Sequence, residues 1–316
     1  MKKRYRRFVL ALALAVAMSI AFIAFTLGFG APDSEGVSFT FTDARRRFKK
    51  YTRRGALVNW KKRLEWSLSQ PKFELKEENR RDAIKLHIIS LPRSSERRTA
   101  CLSALKEQNI SYALTYAVDG LLELQPGEVA RYTGRKKGAS LRHSSRWSQE
   151  QLLELRKEYE SGTLSDDVRS HLHERLRFGC TMSHVRLWLK LLSSDDRFFV
   201  VIEDDANVVL DFVVKMRRAL RQLPRDWDLF YMNACDIRLG GNISETIRQF
   251  RGGSCTLGYA ISRKGAEHLV YRQAPGSNLP VDKMMNVDIE SGRMYAFYAD
   301  PPLVFRLGDH ASTLAY

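Results

Sequence analysis

Residues 198–202 form an unbroken apolar run, FFVVI, that ends directly in three acids, Glu203, Asp204 and Asp205. A run without polar alternation is typical of a central strand that is covered on both faces. Carboxylates beyond such a strand are costly to bury unless a cation or hydrogen-bond donors meet them. Because alternate residues of a strand share a face, we expect Glu203 and Asp205 to point the same way. Taken alone, the triplet also fits a solvated turn or a helix N-cap.

Strand-like and helix-like patterns alternate along most of the chain. Strands are predicted at 85–91, 112–118, 227–233, 256–262 and 295–299, and helices at 94–108, 182–192, 212–223 and 264–271. Alternation of this kind predicts an α/β fold with a mostly parallel central sheet. Open sheets of this class bind ligands beyond the carboxyl ends of their strands, which is where the three acids stand.

A segment at about 127–179 interrupts this alternation. It begins with a basic stretch rich in glycine and serine, RYTGRKKGASLRHSSR, and continues with two predicted helices. The first helix begins at Ser148, with Gln151 in capping-box register, and the second begins near Ser165. We interpret the segment as an insertion over the active face.

The formal net charge of +16 on 316 residues suggests at first a nucleic-acid partner. The charge is concentrated at the front of the chain, because residues 1–83 carry 19 Lys or Arg against 8 Asp or Glu, net +11. Residues 84–316 carry 33 against 28, net +5, without basic residues interleaved with aromatic ones. Nucleic-acid binding is therefore the weakest of the functions considered.

Residues 8–30 contain no charge and are long enough to cross a bilayer as a helix. We predict a transmembrane signal anchor, because the apolar region of a cleaved signal peptide would be only about 7–15 residues long. Five basic residues in the tail at 1–7 favour a cytosolic N-terminus and a single-pass type II topology. The body would then lie in the lumen of the Golgi or ER. In a bacterial host it would be associated with the inner membrane.

Residues 31–83 are polar and basic, and we predict a stem that leads to a catalytic domain at 84–316. A basic amphipathic helix on the membrane surface is the alternative for the stem. Asn109 and Asn242 each begin an N-x-Ser sequon, so they are N-glycosylation candidates in a luminal body. The four cysteines show no C-x-x-C spacing, which leaves disulfides and buried free thiols both open.

An ordered series of short blocks resembles glycosyltransferase family 25, the family of lipooligosaccharide-biosynthesis and collagen β-galactosyltransferase-like proteins. The blocks are KLHIISLPRSSERR (85–98), AVDG (117–120), GCTMSHVRLW (179–188), VVIEDDANV (200–208), DWDLFYM (226–232), LGYAISRKGAEHL (257–269), PVDKMMN (280–286), PPLV (301–304) and GDHAST (308–313). Two departures stand out: Ser90 occupies a position where the family usually has Asn, and 131–174 contains extra helix and basic loop. The resemblance implies a GT-A-like nucleotide-sugar-binding domain.

The resemblance also implies roles for particular residues. The acidic metal motif falls on Glu203, Asp204 and Asp205, with Glu203 and Asp205 binding Mn²⁺ (or Mg²⁺) and the diphosphate of UDP. Nucleotide-sugar binding is expected at a second set: Arg93, Arg97, Asp119, Gly120, Ser183 and His184. The alternatives for members of this set are arginines on a solvated helix face, a serine that caps a helix start and a packed histidine.

The family is taken to invert the anomeric centre, so a carboxylate base should assist the acceptor hydroxyl. Asp282 in PVDKMMN is the candidate for this base; otherwise it would be an ordinary turn residue. His310 is a candidate third metal ligand, with a surface histidine as the alternative reading.

These expectations favour a metal-dependent, inverting glycosyltransferase. It would transfer a hexose, galactose or glucose, from a UDP-sugar to a hydroxyl of a protein or glycan acceptor, at a membrane that its N-terminal helix anchors. The alternative is a catalytically silent, membrane-tethered relative that acts as a binding or chaperone-like protein. The presence of Glu203, Asp205 and Asp282 argues against that alternative.

Overall fold

The computed structural model describes residues 64–75, 83–123, 148–273 and 279–307. All of these residues belong to one compact unit of the chain. The anchor predicted at 8–30, the basic loop that opens the insertion, and His310 lie outside the described residues. Within the described ranges, no helix is both long enough and apolar enough to span a membrane.

A six-stranded sheet forms the centre of the domain. Its strands are β1 (Leu86–Ser90), β2 (Tyr112–Tyr116), β3 (Phe198–Glu203), β5 (Leu229–Asn242), β6 (Ile247–Ser262) and β7 (Ala296–Ala299), in the order β2-β1-β3-β6-β5-β7. Only β6 runs antiparallel to its neighbours among these strands. Two short strands, β4 (Ala206–Val208) and β8 (Val304–Arg306), pair separately. The predicted α/β fold with a mostly parallel sheet is confirmed.

Helices cover both faces of this sheet. They are α1 (Ser95–Glu107), α2 (Gln149–Ser161), α3 (Asp166–Ser193), α4 (Phe212–Gln222), α5 (Arg263–His268), which continues as a π-helical turn (Leu269–Gln273), and α6 (Val281–Ser291). The capping box predicted at the start of α2 is present, because Ser148 and Gln151 exchange side-chain and backbone hydrogen bonds. Alternate residues of β3 enter different cores: Phe198, Val200 and Ile202 pack on one face, and Phe199 and Val201 on the other. The apolar run is therefore a strand buried on both faces, as predicted.

One helix boundary was predicted wrongly. The helix expected at 182–192 is the second half of α3, which runs for 28 residues from Asp166 without a break. Gly179 lies inside this helix and does not end it. The glycine allows α3 to pack closely against the turn after β2. A Cβ atom at this position would lie 2.6 Å from the backbone nitrogen of Gly120, in the turn after β2.

Part of the segment assigned to the stem packs onto the domain. Phe73 and Leu75 are buried in the core, and the Phe73 N–H donates to the Leu223 carbonyl at 2.7 Å. Trp66, in the helical stretch at 64–69, stacks on Tyr295 with ring centroids 4.3 Å apart. Burial of aromatic surface of this size stabilises the domain appreciably. Experiments on the folded protein should therefore use a chain that keeps residues 64–75.

The β5–β6 hairpin is longer than the strands predicted at 227–233 and 256–262. Its outer part carries small and polar residues whose pattern does not indicate a strand, and register shifts interrupt its pairing. A disulfide between Cys235 and Cys255 joins the two strands, with Cα atoms 5.5 Å apart. Cys101 and Cys180 are free. The question left open for the cysteines is thus answered by one disulfide and two thiols.

His87 in β1 should make the fold sensitive to acid. Burial, together with the charge of Lys190, lowers the pKa of His87 to about 4, and neither ring nitrogen has a partner among the described residues. The unfolded chain therefore takes up this proton near pH 6.5, whereas the folded chain does so only near pH 4. Stability attributable to this group is complete above pH 6.5 and is lost as the pH falls toward 4, by about 3 kcal/mol in total.

We expect His87→Leu to remove that part of the acid sensitivity. Urea unfolding of the wild type and the variant at pH 7 and pH 4.5 measures it. The loss of unfolding free energy between the two pH values should be smaller in the variant by about 2 kcal/mol or more. Equal losses in both proteins would contradict the burial of a neutral His87.

Candidate active site

The candidate site lies where the carboxyl ends of β1 and β3 meet. These two parallel strands are neighbours, and the chain leaves them in different directions, since β1 connects to β2 on its far side. A crevice at such a switch point is the usual ligand site of an open α/β sheet. A cleft of about 590 Å³ opens beside it, and a smaller recess adjoins the cleft. The cleft has the size of a typical small-ligand site.

The three acids after β3 separate into two groups. Asp204 is almost fully buried and turns toward α1, where the Arg97 guanidinium forms an ion pair with its Oδ1. Glu203, the last residue of β3, and Asp205, in the turn that follows it, both line the large cleft. Glu203 keeps 28% of its side chain exposed, and Asp205 lies deeper. Glu203 and Asp205 can therefore meet a ligand in the cleft, and all three carboxylates border the adjoining recess.

The two cleft carboxylates differ in their affinity for protons. Burial and the neighbouring charge of Glu203 raise the pKa of Asp205 to about 6. Burial alone would raise the pKa of Glu203 as well, but hydrogen bonds from His184 and Thr256 outweigh it and lower that pKa. The charges of Arg97 and Arg306 offset part of the rise in the pKa of Asp205, and Arg306 approaches Oδ2 of Asp205 to 3.7 Å.

The donor set fits a hard divalent cation. Oδ1 of Asp205 and Oδ2 of Asp204 are buried and have no hydrogen-bond partner among the described residues. Orphaned carboxylate oxygens at the end of a strand are suited to Mn²⁺ or Mg²⁺, which prefer oxygen ligands. Within the same described residues, no group of three His, Cys, Asp or Glu side chains is arranged to hold a metal ion. Mg²⁺-type ions are commonly held by one or two carboxylates together with substrate phosphates and water.

Glu203 is held by residues from two other elements. The Thr256 hydroxyl of β6 donates to its Oε1, and Nε2 of His184 in α3 lies 3.5 Å from the same oxygen. Nδ1 of His184 contacts the Tyr259 hydroxyl at 2.8 Å. His184 is buried among these groups, so the structure places it behind Glu203. Sequence reasoning missed Thr256 and Tyr259, because only the pairing of β6 with β3 brings them here.

The expected nucleotide-binding arginines both have acidic partners. Arg93 forms an ion pair with Asp119, which follows β2, and Arg97 forms its pair with Asp204. Both arginines line the smaller recess next to Glu203. These pairs tie α1 and the turn after β2 to the carboxyl edge of the sheet.

Gly120 and Ser183 have packing roles that their contacts make clear. A Cβ atom at Gly120 would lie 2.1 Å from the Arg175 carbonyl oxygen, so only glycine allows this turn to rest on α3. The Ser183 hydroxyl accepts from the Val118 N–H and donates to the Gly179 carbonyl, each at 2.8 Å. Ser183 lies in the middle of α3, so the expectation that Ser183 and His184 stand at a helix start is wrong.

Asp282 lies at the opposite side of the cleft, in the first turn of α6. Its Oδ2 accepts from the Cys255 N–H at 3.1 Å, and its Oδ1 accepts from the Lys283 N–H at 2.7 Å. A helix N-terminus favours negative charge, and both contacts fix the direction of the carboxylate. Asp282 therefore belongs to a helix and not to a turn, and it forms part of the cleft wall.

Several further residues of the cleft wall carry no sequence signal that identifies them. These are His173 and Arg177 of α3, Asp236 and Ser254 of the hairpin, the Cys235–Cys255 disulfide and Arg306 of β8. The helical spacing of His173 and Arg177 shows that they share a face, but only the fold shows which face. The sequon residues Asn109 and Asn242 are exposed and are not among the residues that line the cleft or the recess.

A mostly parallel α/β sheet that presents paired carboxylates to an open cleft at its switch point fits a GT-A-like nucleotide-sugar-binding domain. The family model for glycosyltransferase family 25 (LPS biosynthesis protein) matches residues 83–285. The chain belongs to glycosyltransferase family 25.

Curated relatives agree with this family. Procollagen galactosyltransferase 2 of Mus musculus is 26% identical over 244 residues, which cover 70% of this chain and 34% of the relative. Its counterpart from Homo sapiens is 27% identical over the same length, with the same coverage. Inactive glycosyltransferase 25 family member 3 of Mus musculus is 27% identical over 213 residues, 63% of this chain and 31% of the relative. The chain thus spans about a third of the length of these relatives.

Proposed function

We propose that this chain transfers a hexose, galactose or glucose, from a UDP-sugar to a hydroxyl group of a protein or glycan acceptor, with inversion at the anomeric carbon. The observation that carries the proposal is the placement of Glu203, Asp205 and Asp282 on the walls of one cleft at the switch point of the sheet. Two procollagen galactosyltransferases among the relatives support galactose as the first donor to test.

The β3 side of the cleft would bind the donor diphosphate. Glu203 and Asp205 would hold Mn²⁺ or Mg²⁺, with Asp204 and Arg97 supporting them from behind. A cation at this position would neutralise the charge that develops on the departing UDP. Arg93 and the turn at Gly120 line the adjoining recess, which would accept the nucleoside part of the donor, and Asp119 forms an ion pair with Arg93 there.

The α6 side would bind and activate the acceptor. Asp282 would accept the proton of the acceptor hydroxyl as its oxygen attacks the anomeric carbon from the face opposite UDP. The bond from the anomeric carbon to the diphosphate breaks in the same step, and UDP leaves. The hydrogen bonds from Cys255 and Lys283 keep the carboxylate oriented for this transfer.

We also propose the location and attachment of the protein. Residues 8–30 would anchor it as a single-pass type II membrane protein, with the domain in the lumen of the Golgi or ER. Asn109 and Asn242 are exposed, as glycosylation would require. The Cys235–Cys255 disulfide is consistent with an oxidising compartment.

A second candidate is a silent relative that binds a partner without catalysis. It is favoured by the relative named inactive, whose identity to this chain, 27%, equals that of the human galactosyltransferase. The two candidates make different predictions for the same cleft. An enzyme needs both the cation and the base for turnover, whereas a silent protein needs neither for catalysis.

Release of UDP by the full chain tests the proposal. We would measure it across a panel of UDP-sugars, with and without Mn²⁺, beside the double variant Glu203→Ala/Asp205→Ala. A matched control, Glu245→Ala/Glu290→Ala, removes two acids that lie outside the cleft and the recess. We expect Mn²⁺-dependent turnover of one donor, lost in the cleft variant and retained in the control. Absence of turnover and of metal-dependent UDP binding in the wild type would favour the silent candidate.

A further inference from the structure

Four side chains form a continuous contact chain that ends at Glu203. The Trp188 indole Nε1 lies 3.0 Å from the Tyr259 hydroxyl oxygen, and that oxygen lies 2.8 Å from Nδ1 of His184. Nε2 of the same imidazole is 3.5 Å from Oε1 of Glu203. Trp188 and Tyr259 are fully buried, and His184 is 1% exposed. Water therefore has little access to these contacts, and each polar atom has to find its hydrogen-bond partner among these side chains.

The direction of each hydrogen bond follows from the chemistry of the donors. An indole N–H can only donate, so the Tyr259 oxygen accepts from Trp188. Burial raises the pKa of Tyr259 well above its usual value, so the phenol keeps its own proton. Among the described residues, the acceptor for that proton is Nδ1 of His184. His184 must then present a lone pair at Nδ1, and its ring proton is placed on Nε2, which faces Glu203.

The opposite assignment would leave the network unsatisfied. A proton on Nδ1 of His184 would point at an oxygen that already accepts from Trp188, and the Tyr259 proton would have no acceptor. The lone pair on Nε2 would then face Oε1 of Glu203, and the Thr256 hydroxyl, which also lies 3.5 Å from Nε2, already donates its proton to that oxygen. Leaving a buried hydrogen bond unmade is unfavourable, so the Nε2–H tautomer is preferred.

We propose that Trp188, Tyr259 and His184 form a one-way hydrogen-bond chain that positions Glu203 and fixes the tautomer of His184. Both recorded contacts of the Glu203 carboxylate, from Thr256 and His184, fall on Oε1. No contact falls on Oε2 among the described residues, and the partly exposed carboxylate lines the cleft. The consequence for the donor site rests on the proposed function: His184 and Tyr259 are positioning residues that aim Oε2 of Glu203 at a divalent cation.

The test removes one hydroxyl from the chain. Tyr259→Phe keeps the ring in the core but deletes the link between Trp188 and His184. Tyr231→Phe is the matched control, because Tyr231 is also fully buried and its ring centroid lies 6.2 Å from that of Tyr259. Among the described residues, its hydroxyl has one hydrogen-bond partner, the Met285 sulfur at 3.8 Å. Both variants lose one buried oxygen, and only the first interrupts the path to Glu203.

Two readouts are measured on full-length protein. The first is the ¹⁵N spectrum of the imidazoles in uniformly histidine-labelled protein, with His184 assigned among the 7 histidines by His184→Gln. We expect a single Nε2–H tautomer in the wild type and in Tyr231→Phe, and a mixture of tautomers in Tyr259→Phe. The second is the dissociation constant of Mn²⁺, which we expect Tyr259→Phe to weaken about 10-fold or more.

The two readouts test the hydrogen-bond chain and the proposed function separately. A wild-type His184 with its proton on Nδ1 would overturn the proposed chain, whatever the metal result. Unchanged tautomer and unchanged Mn²⁺ affinity in Tyr259→Phe would also overturn it. An Nε2–H tautomer in a wild type that binds no Mn²⁺ would support the chain and count against the metal-dependent function. If Tyr259→Phe does not fold, the tautomer in the wild type alone decides the proposal.

Discussion

Asp282→Asn is expected to lower kcat by about 10²- to 10⁴-fold, the range that a general base contributes. The amide keeps the shape of the side chain, and its oxygen can still accept the Cys255 N–H that now reaches Oδ2 at 3.1 Å, while its NH₂ group replaces Oδ1 and gives up the bond from the Lys283 N–H. It cannot take the proton of an acceptor hydroxyl. The donor site on the other wall is untouched, so Mn²⁺-dependent UDP binding, measured by calorimetry, should stay within about twofold of the wild type.

Asp236→Asn serves as the control for this prediction. Asp236 belongs to the β5–β6 hairpin and lines the same cleft as Asp282, and its carboxylate accepts from the Ser254 hydroxyl at 2.5 Å. It therefore offers a second carboxylate in this cleft for comparison with Asp282. Its substitution should leave kcat largely unchanged. A loss of kcat that follows Asp236 and spares Asp282 would show that the base has been assigned to the wrong carboxylate.

Arg97→Met is expected to lower the free energy of unfolding by about 3–5 kcal/mol, the usual cost of breaking a buried ion pair by removing one partner. The Arg97 and Asp204 side chains are only 16% and 2% exposed, and Asp204 has no other recorded side-chain partner among the described residues. The methionine would leave an uncompensated buried carboxylate. Thermal unfolding should show the loss as a midpoint lower by about 10 °C.

A second substitution distinguishes this cause from lost packing. In Arg97→Met/Asp204→Leu the stranded charge is gone, and buried pairs replaced by apolar residues are often neutral in stability. The double variant should therefore recover most of the lost stability. A double variant no more stable than Arg97→Met would contradict the explanation. An Arg97→Met protein of wild-type stability with weakened UDP binding would instead indicate a direct contact with the nucleotide.

The parts of the fold that could be predicted from sequence are those set by local periodicity. The run at 198–202 has no polar residue, so burial on both faces was the natural reading, and β3 confirms it. The capping box at Ser148 was recognisable because both of its partners lie within four residues. Glu203 and Asp205 line the same cleft, but β3 ends at Glu203, so alternation along the strand does not explain the position of Asp205.

The parts that could not be predicted depend on distant contacts. Gly179 resembles a helix boundary in the sequence, yet α3 continues through it. The absence of a side chain at Gly179 leaves room for Gly120, which belongs to another element. Tyr259 reaches His184 only because β6 pairs antiparallel with β3. The contact that fixes Asp282 could not be predicted, because its partner Cys255 belongs to the hairpin, 27 residues away in the sequence. No local pattern encodes these pairings.

The Cys235–Cys255 bridge decides how the protein must be prepared before any assay. Intracellular expression in a reducing host keeps thiols reduced, whereas secretion or an oxidising strain lets the bridge form. The backbone N–H that holds Asp282 belongs to Cys255 itself, so the two preparations would differ at the acceptor side of the cleft. Titration with a thiol reagent under denaturing conditions tells them apart: two reactive groups, Cys101 and Cys180, in one batch, and all four cysteines in the other.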